Sequence, residues 1–256
     1  NGAVYFETGT LAGAGPLTNQ GALVVYQSTI NAALDNQGTV RWQAPSNQNG
    51  ALTTSAGSVL RLEGLAPVSA TLTVANGFTN NGTIELTDVA PLNPNDANLI
   101  VTSGVLVNAA GHAINALAGA GAGGGRSLKA ALDNHGTLTV SQSLTMDRPS
   151  SVHVNESDGT ILVSGGNLTV NQSGTSPSFT NNGTLTVSTG RTLTVTGGAL
   201  TLNGSGLTGA GAVVLSNVTA TFLTDQSTAT TPFVDIDGST INGPGSLTHA
   251  VGKTQV

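Results

Sequence analysis

Residues 179–195 read Phe-Thr-Asn-Asn-Gly-Thr-Leu-Thr-Val-Ser-Thr-Gly-Arg-Thr-Leu-Thr-Val, and the fold can be inferred from the pattern in these residues. Twice within this stretch, at 184–187 and at 192–195, threonine alternates with leucine or valine. A period of two puts the threonines on one face of a strand and the aliphatic side chains on the other. A third alternation follows at 199–202. Three short strands, each with one buried face, therefore fit into about 24 residues.

The start of this stretch recurs along the chain as the pattern apolar, Thr or Asp, Asn, any residue, Gly. Clear copies begin at Leu17, Leu34, Phe78, Leu132 and Phe179, and weaker ones surround Gly57, Gly111, Gly159, Gly206 and Gly238. The repeat glycines from Gly21 to Gly238 are on average about 24 residues apart. Repeats of this length that contain strands predict a parallel β-solenoid. We expect one all-β domain over residues 1–256, with about ten or eleven coils stacked roughly 4.8 Å apart.

Asparagine lies two residues before the glycine in the five clear copies, at Asn19, Asn36, Asn80, Asn134 and Asn181. Because equivalent residues of successive coils stack, we expect these side chains to form a hydrogen-bonded ladder along one corner of the solenoid. We also expect a positive φ at this corner, because glycine and asparagine adopt that conformation most readily.

The composition excludes several classes of protein. Charged residues make up only 8% of the chain and the net charge is −6, so a basic surface for nucleic acid is not expected. With no cysteine, the chain has neither disulfides nor thiolate metal sites. No apolar run approaches the roughly 20 residues of a membrane-spanning helix. High β-branched content with little charge is the reverse of a disordered composition.

The repeats resemble those of large bacterial secreted adhesins, namely autotransporter passenger domains and proteins of the filamentous-haemagglutinin type. The segments that add to this resemblance are Leu11-Ala-Gly-Ala-Gly-Pro-Leu17, Leu207-Thr-Gly-Ala-Gly-Ala-Val213 and Ile241-Asn-Gly-Pro-Gly-Ser-Leu247. The resemblance covers nearly the whole chain and implies a right-handed parallel β-helix, export from the cell, and a role in adhesion or as a stalk.

One set of side chains invites a catalytic interpretation. His135 and Asp158 each precede a repeat glycine in successive coils, so their side chains are expected to stack, with Asp133 and Glu156 nearby. A histidine beside a carboxylate is a possible acid–base pair. A corner ion pair explains the same pattern without chemistry, and we therefore expect no catalytic residues.

The sequence also contains two weak metal candidates and one surface pattern. Asp96, in an Asn-rich segment at 93–98, and the pair Asp235 and Asp237 offer oxygen ligands, but neither group supplies the six to eight oxygens that calcium takes. We therefore predict no metal and no cofactor. Thr-x-Thr units, as at 137–139 and 184–186, raise an ice-binding alternative, which requires threonine pairs on the same face of every coil.

Three segments interrupt the alternation and are expected to protrude as loops where binding residues concentrate: 88–98, 116–125 and 224–233. The resulting hypothesis is an extracellular, non-catalytic structural or adhesive rod. Its expected partners are copies of itself stacked end to end or adjoining domains of a longer chain, and glycans of a host or matrix are further candidates. The alternative is a β-helical protein that binds or cleaves glycans.

Overall fold

The computed structural model describes residues 2–120, 123–204, 207–227, 233–248 and 254–255. It confirms the predicted fold: an all-β chain whose parallel strands stack into a β-solenoid of about ten turns of about 23 residues. Within the described ranges no residue is helical, and so no helix there is long and apolar enough to cross a membrane.

Short strands follow one another around the coils. In chain order they are β1 (Val4–Glu7), β2 (Thr10–Leu11), β3 (Leu17–Asn19), β4 (Ala22–Tyr26), β5 (Thr29–Ile30), β6 (Leu34–Asn36), β7 (Thr39–Trp42), β8 (Ser46–Gln48), β9 (Leu52–Thr54), β10 (Val59–Gly64), β11 (Ala70–Val74), β12 (Phe78–Asn80), β13 (Thr83–Asp88), β14 (Ala97–Asn108), β15 (Ala113–Ala116), β16 (Arg126–Asn134), β17 (Thr137–Val140), β18 (Leu144–Met146), β19 (Val152–Asn155), β20 (Thr160–Val163), β21 (Leu168–Asn171), β22 (Ser178–Asn181), β23 (Thr184–Val187), β24 (Thr192–Thr196), β25 (Ala199–Leu202), β26 (Leu207–Thr208), β27 (Ala212–Ser216), β28 (Thr219–Phe222), β29 (Gln226–Ser227), β30 (Phe233–Asp237), β31 (Thr240–Asn242), β32 (Leu247–Thr248) and β33 (Thr254–Gln255).

These strands form three faces, and every strand pairs in parallel with its counterpart one coil away. The first face is a ten-stranded sheet that runs from β1 through β4, β7, β10, β13, β15, β17, β20 and β23 to β26. The second face includes β18, β21, β24, β27 and β30, and the third includes β19, β22, β25, β28 and β31. Strands β14 and β16 continue around the corner between these two faces.

The core lies inside the coils and is built by the alternation that the sequence shows. In β11 the pattern is buried, half-buried, buried, half-buried, buried, with Ala70, Leu72 and Val74 turned inward. Equivalent inward residues stack from coil to coil, as Leu72, Leu99 and Leu128 do. One continuous apolar cluster therefore runs along the rod, and its burial is the main force that holds the coils together.

Two of the predicted loops lie between strands as expected. Residues 89–96 separate β13 from β14, and Leu92 in this loop is 89% exposed. The described residues of the second loop, 117–120 and 123–125, likewise carry no strand. The third prediction, 224–233, is only partly correct because β29 and the start of β30 fall within it. Residues 228–232, like the repeat glycine Gly206, lie outside the described residues.

The prediction of positive φ at the Asn-x-Gly corner is wrong. Glycines with positive φ include Gly57 (φ 80°) and Gly111 (φ 79°), whereas those of the five clear copies, Gly82 and Gly183 among them, are not in this group. A Cβ atom at Gly183 would overlap the carbonyl oxygen of Glu156 in the preceding coil. The glycine is therefore required by the close approach of two backbones, not by its own dihedral angle.

Candidate functional site

A groove lies at the corner between the second and third faces. In β14 the register shifts between Ile100 and Val105, and Thr102, Ser103 and Gly104 bulge outward while Val101 stays buried. The next coil, in β16, turns the same corner without extra residues. The coil after it bulges again at 147–150, between β18 and β19, and returns to the core at the buried Ser151. The β16 coil, which we call the low coil because it has no bulge, lies between these two bulged, or raised, coils. The groove above it has a volume of about 520 Å³ and is lined by Ile100, Val101, Thr102, Lys129, Asp147, Arg148 and Pro149.

Arg148 ties the two raised corners together across the low coil. Its Nη1 donates to the carbonyl oxygen of Gly104 at 2.7 Å, and its Nη2 donates to that of Thr102 at 2.9 Å. These carbonyls project because the bulge removes them from the strand ladder. Since an arginine donates through a planar fork, two bonds fix the orientation of both bulges and hence the width of the groove.

The groove also contains an ion pair. Lys129 Nζ lies 3.2 Å from Asp147 Oδ2, and both side chains are partly exposed, at 44% and 31%. The groove thus carries two positive charges and one negative charge, while the whole chain carries −6. Two of the chain's seven lysines and arginines meet here, which makes the groove locally positive.

Close to this groove, a histidine points into the core. His153 is 2% exposed and occupies a column of inward residues between Leu132 and Phe179. Its Nδ1 has no hydrogen-bond partner. Burial, with a smaller contribution from the charge of Arg148, lowers the pKa of His153 to about 4. The imidazole is therefore neutral at neutral pH. Sequence reasoning missed this residue, although the Val-His-Val alternation at 152–154 indicates the inward position.

The asparagine ladder contains residues that the repeat pattern did not select. One run consists of Asn80, Asn108, Asn134, Asn155 and Asn181; in it each Nδ2 donates to the next Oδ1 at 2.7–2.9 Å. A separate bond of 2.9 Å joins Asn19 to Asn36. Asn108 and Asn155 were missed because extra residues separate them from their glycines at 111 and 159. The Asn that ends each of the strands β12, β14, β16, β19 and β22 is the signal that finds them.

The two runs are interrupted where another residue takes the same place in the coil. Thr54 pairs with Asn36, so the first run ends there, and Leu202 pairs with Asn181 at the end of the second run. The five asparagines of the long run are at most 1% exposed. Since these amides bond to one another and to backbone carbonyls inside the corner, their geometry serves the stack and leaves no amide for a ligand.

His135 lies between two carboxylates on the outside of the rod. Its Nδ1 is 3.0 Å from Asp158 Oδ1, and its Nε2 is 3.5 Å from Asp133 Oδ1. Glu156 accepts instead from Asn182 Nδ2, at 3.3 Å. The contact between His135 and Asp158 joins two successive coils, as expected for a corner ion pair.

The weak metal candidates are engaged in local contacts. Asp96 Oδ1 accepts from the backbone N–H of Gly125 at 2.6 Å, and Asp237 Oδ2 lies 3.4 Å from the hydroxyl of Ser216. Asp235 is half-buried on β30, where it lies beside Val214 of the preceding coil. In the part of the chain that the structure describes, no group of three or more His, Asp or Glu side chains is placed to hold a metal ion.

A buried arginine holds the two long loops in place. Arg126 points inward next to Ala97 and is 1% exposed. Its guanidinium donates to the carbonyls of Asn95, Leu117 and Ala118 at 3.0–3.2 Å, thereby joining the loop 89–96 to the start of the second loop at 117–118. Burial lowers the pKa of Arg126, while the charges of Asp88 and Asp96 oppose that shift. This contact could not be predicted from the sequence, because an arginine in an alternating segment indicates a surface position.

Threonines form columns on the first face. Thr137, Thr160 and Thr184 stack in three successive coils. The neighbouring column passes through Leu162, which lies between Thr139 and Thr186. The paired threonine array that ice binding requires is therefore interrupted by an aliphatic side chain on this face.

No family model, no curated protein and no solved structure matches this chain.

Proposed function

We propose that this chain is a segment of an extracellular structural or adhesive rod, a stalk or filament subunit without catalytic activity. The observation that carries the proposal is the state of the core at the two ends of the described solenoid. Phe6, Leu11 and Leu17 pack against the core at one end but stay partly exposed, as do Ile241 and Leu247 at the other. Val4, which pairs with the buried Leu23, is 66% exposed.

An exposed core end beside a strand edge favours the addition of another coil. A further coil would pair with the edge of β1 and cover these apolar side chains in one step. A second copy of the chain offers such a coil. The proposed partner is therefore another solenoid unit, either a second copy stacked end to end or an adjoining domain of a longer chain, so that the strand pairing of both units continues along one rod.

The body of the rod suits an exposed, load-bearing role. Because the strands pair with their neighbours in successive coils, few backbone groups are available to proteases. The outward positions carry threonine, serine and asparagine and few charges. Together with the resemblance of the repeats to bacterial secreted adhesins, these features support export and a place at the cell surface or in a matrix.

The test is the state of assembly of the purified chain, measured by sedimentation velocity over a range of concentrations and by electron microscopy. Elongated particles that lengthen with concentration are expected. A Val4→Lys substitution places a charge in the open core end and should keep the chain monomeric. Thr139→Lys, which faces outward in the middle of the rod, is the matched control and should assemble like the original chain.

A chain that stays monomeric at every concentration would contradict end-to-end stacking, and so would equal behaviour of the two lysine variants. The non-catalytic part of the proposal is checked on the same preparation with a reducing-sugar assay on glycan polymers. Release of reducing ends would overturn it.

A further inference from the structure

The groove defined above by residues 100–102, 129 and 147–149 combines a fixed shape, positive charge and aliphatic surface, which are features of a binding site. We propose that it binds a carboxylate-bearing saccharide, such as a segment of a uronic-acid polymer. This inference rests on the extracellular role proposed above, because such polymers belong to matrices and cell surfaces.

The shape of the groove is fixed before any ligand binds. Its walls are the two bulges that Arg148 joins, and its floor is the low coil of β16. A volume of about 520 Å³ is within the range typical of small-ligand sites. A pre-formed groove spares the ligand the cost of ordering its site, which favours binding by a surface of this modest size.

The charges in the groove select an anion. Lys129 and Arg148 both line it, and Asp147 neutralises only one of them. Arg148 uses two N–H groups for the carbonyls of the bulge, and its guanidinium carries further donors that point away from them. A ligand carboxylate would compete with Asp147 for Lys129 and would lie close to Arg148. Its hydrogen bonds to these two cations would be charge-assisted.

The other groups that line the groove favour a sugar as the carrier of that carboxylate. Ile100 and Pro149 present aliphatic surface, against which the apolar face of a sugar ring can pack. Thr102 lines the groove; its hydroxyl donates to the carbonyl oxygen of Ala75 at 2.9 Å and can still accept a hydrogen bond from a ring hydroxyl. A mixture of aliphatic surface, hydroxyls and net positive charge matches an acidic sugar better than it matches a neutral sugar or an apolar ligand.

Isothermal titration of the purified chain with an oligomannuronate tetrasaccharide tests the proposal, with the methyl ester of the same oligomer as the uncharged ligand. We expect the acid to bind and the ester to bind at least tenfold more weakly. Lys129→Gln should weaken binding of the acid roughly tenfold, the size of one charge-assisted bond. Asp147→Asn should instead strengthen it severalfold, because it removes the competing carboxylate. Arg41→Gln, an exposed site on the first face, removes the same charge and should change nothing.

Equal affinity for the acid and its ester would overturn the proposal, as would equal effects of Lys129→Gln and Arg41→Gln. An acidic peptide that binds as tightly as the oligosaccharide would overturn the choice of a sugar. The end-to-end assembly of the same variants, followed by sedimentation, reports on the structural role separately. If the chain assembles end to end but does not bind the oligomannuronate, only the groove proposal is refuted.

Discussion

The long asparagine run permits a sharp test of how this solenoid is held together, with Asn134→Ala as the change. Asn134 Nδ2 donates to Asn155 Oδ1 at 2.7 Å, and Asn134 Oδ1 accepts from Asn108 Nδ2 at 2.8 Å. The alanine variant removes both bonds and leaves two buried amide groups without their ladder partners. A buried polar group that loses its partner costs about 1–3 kcal/mol, so we expect a loss of about 3 kcal/mol in the free energy of unfolding.

The position in the run should set the size of the effect. Asn181 is the last member, since Leu202 follows it in the next coil. In Asn181→Ala only Asn155 Nδ2 loses an acceptor, and it retains a bond of 3.1 Å to the carbonyl of Thr184. We expect about half the loss seen for Asn134→Ala. Asn115→Ala is the matched control, because Asn115 faces outward from β15, and it should cost no more than about 0.5 kcal/mol.

The assay is urea unfolding followed by far-ultraviolet circular dichroism, with hydrogen exchange of the amides around the corner as a second measurement. Exchange is needed because solenoids can lose coils locally without unfolding as a whole. If Asn134→Ala and Asn115→Ala lower stability equally, the ladder is not a source of stability and the reasoning fails. Equal losses of stability for Asn134→Ala and Asn181→Ala would show that the cost does not depend on the number of ladder partners that a substitution leaves unbonded.

Three further predictions concern single positions. Gly183→Ala should destabilise the chain by more than 2 kcal/mol in urea unfolding, because its Cβ would overlap the preceding coil, whereas Gly13→Ala, with open space around it, should have little effect. His153 has a pKa of about 4 in the folded chain and about 6.5 in the unfolded chain, so the unfolded chain binds the proton more tightly. The free energy of unfolding is therefore highest above pH 6.5 and falls by roughly 3 kcal/mol as the pH drops to 4. His153→Phe should remove that part of the pH dependence, and an unchanged pH profile in urea unfolding would refute the assignment. Arg126→Met should release the loops 89–96 and 117–125 and speed their cleavage in limited proteolysis; unchanged cleavage would show that the loops are held by other contacts.

Much of the fold could be predicted from short-range sequence patterns. The period of two in 184–187 and 192–195 identifies strands with one buried face, and the recurring Asn-x-Gly places them in coils of similar length. Both features act between residues that are adjacent in the chain or one coil apart. The role of the repeat glycine was predicted incorrectly. A close approach between coils and a positive φ both select glycine, so the sequence does not distinguish them. The position of Glu156 relative to Gly183 in the structure does.

The stacked parallel coils follow from local sequence, because alternation and repeat length are properties that any in-register stack must satisfy. Tertiary structure alone decided where the coils differ. Ala22 and Thr39 of adjacent coils are paired across 17 residues, whereas Thr83 and Ala113 are paired across 30, and the extra residues leave the coil as loops or bulges. Arg148 meets Gly104 across 44 residues only because two such bulges leave at the same corner. No local sequence pattern indicates that the two bulges share a corner, so the groove could be identified only from the folded structure.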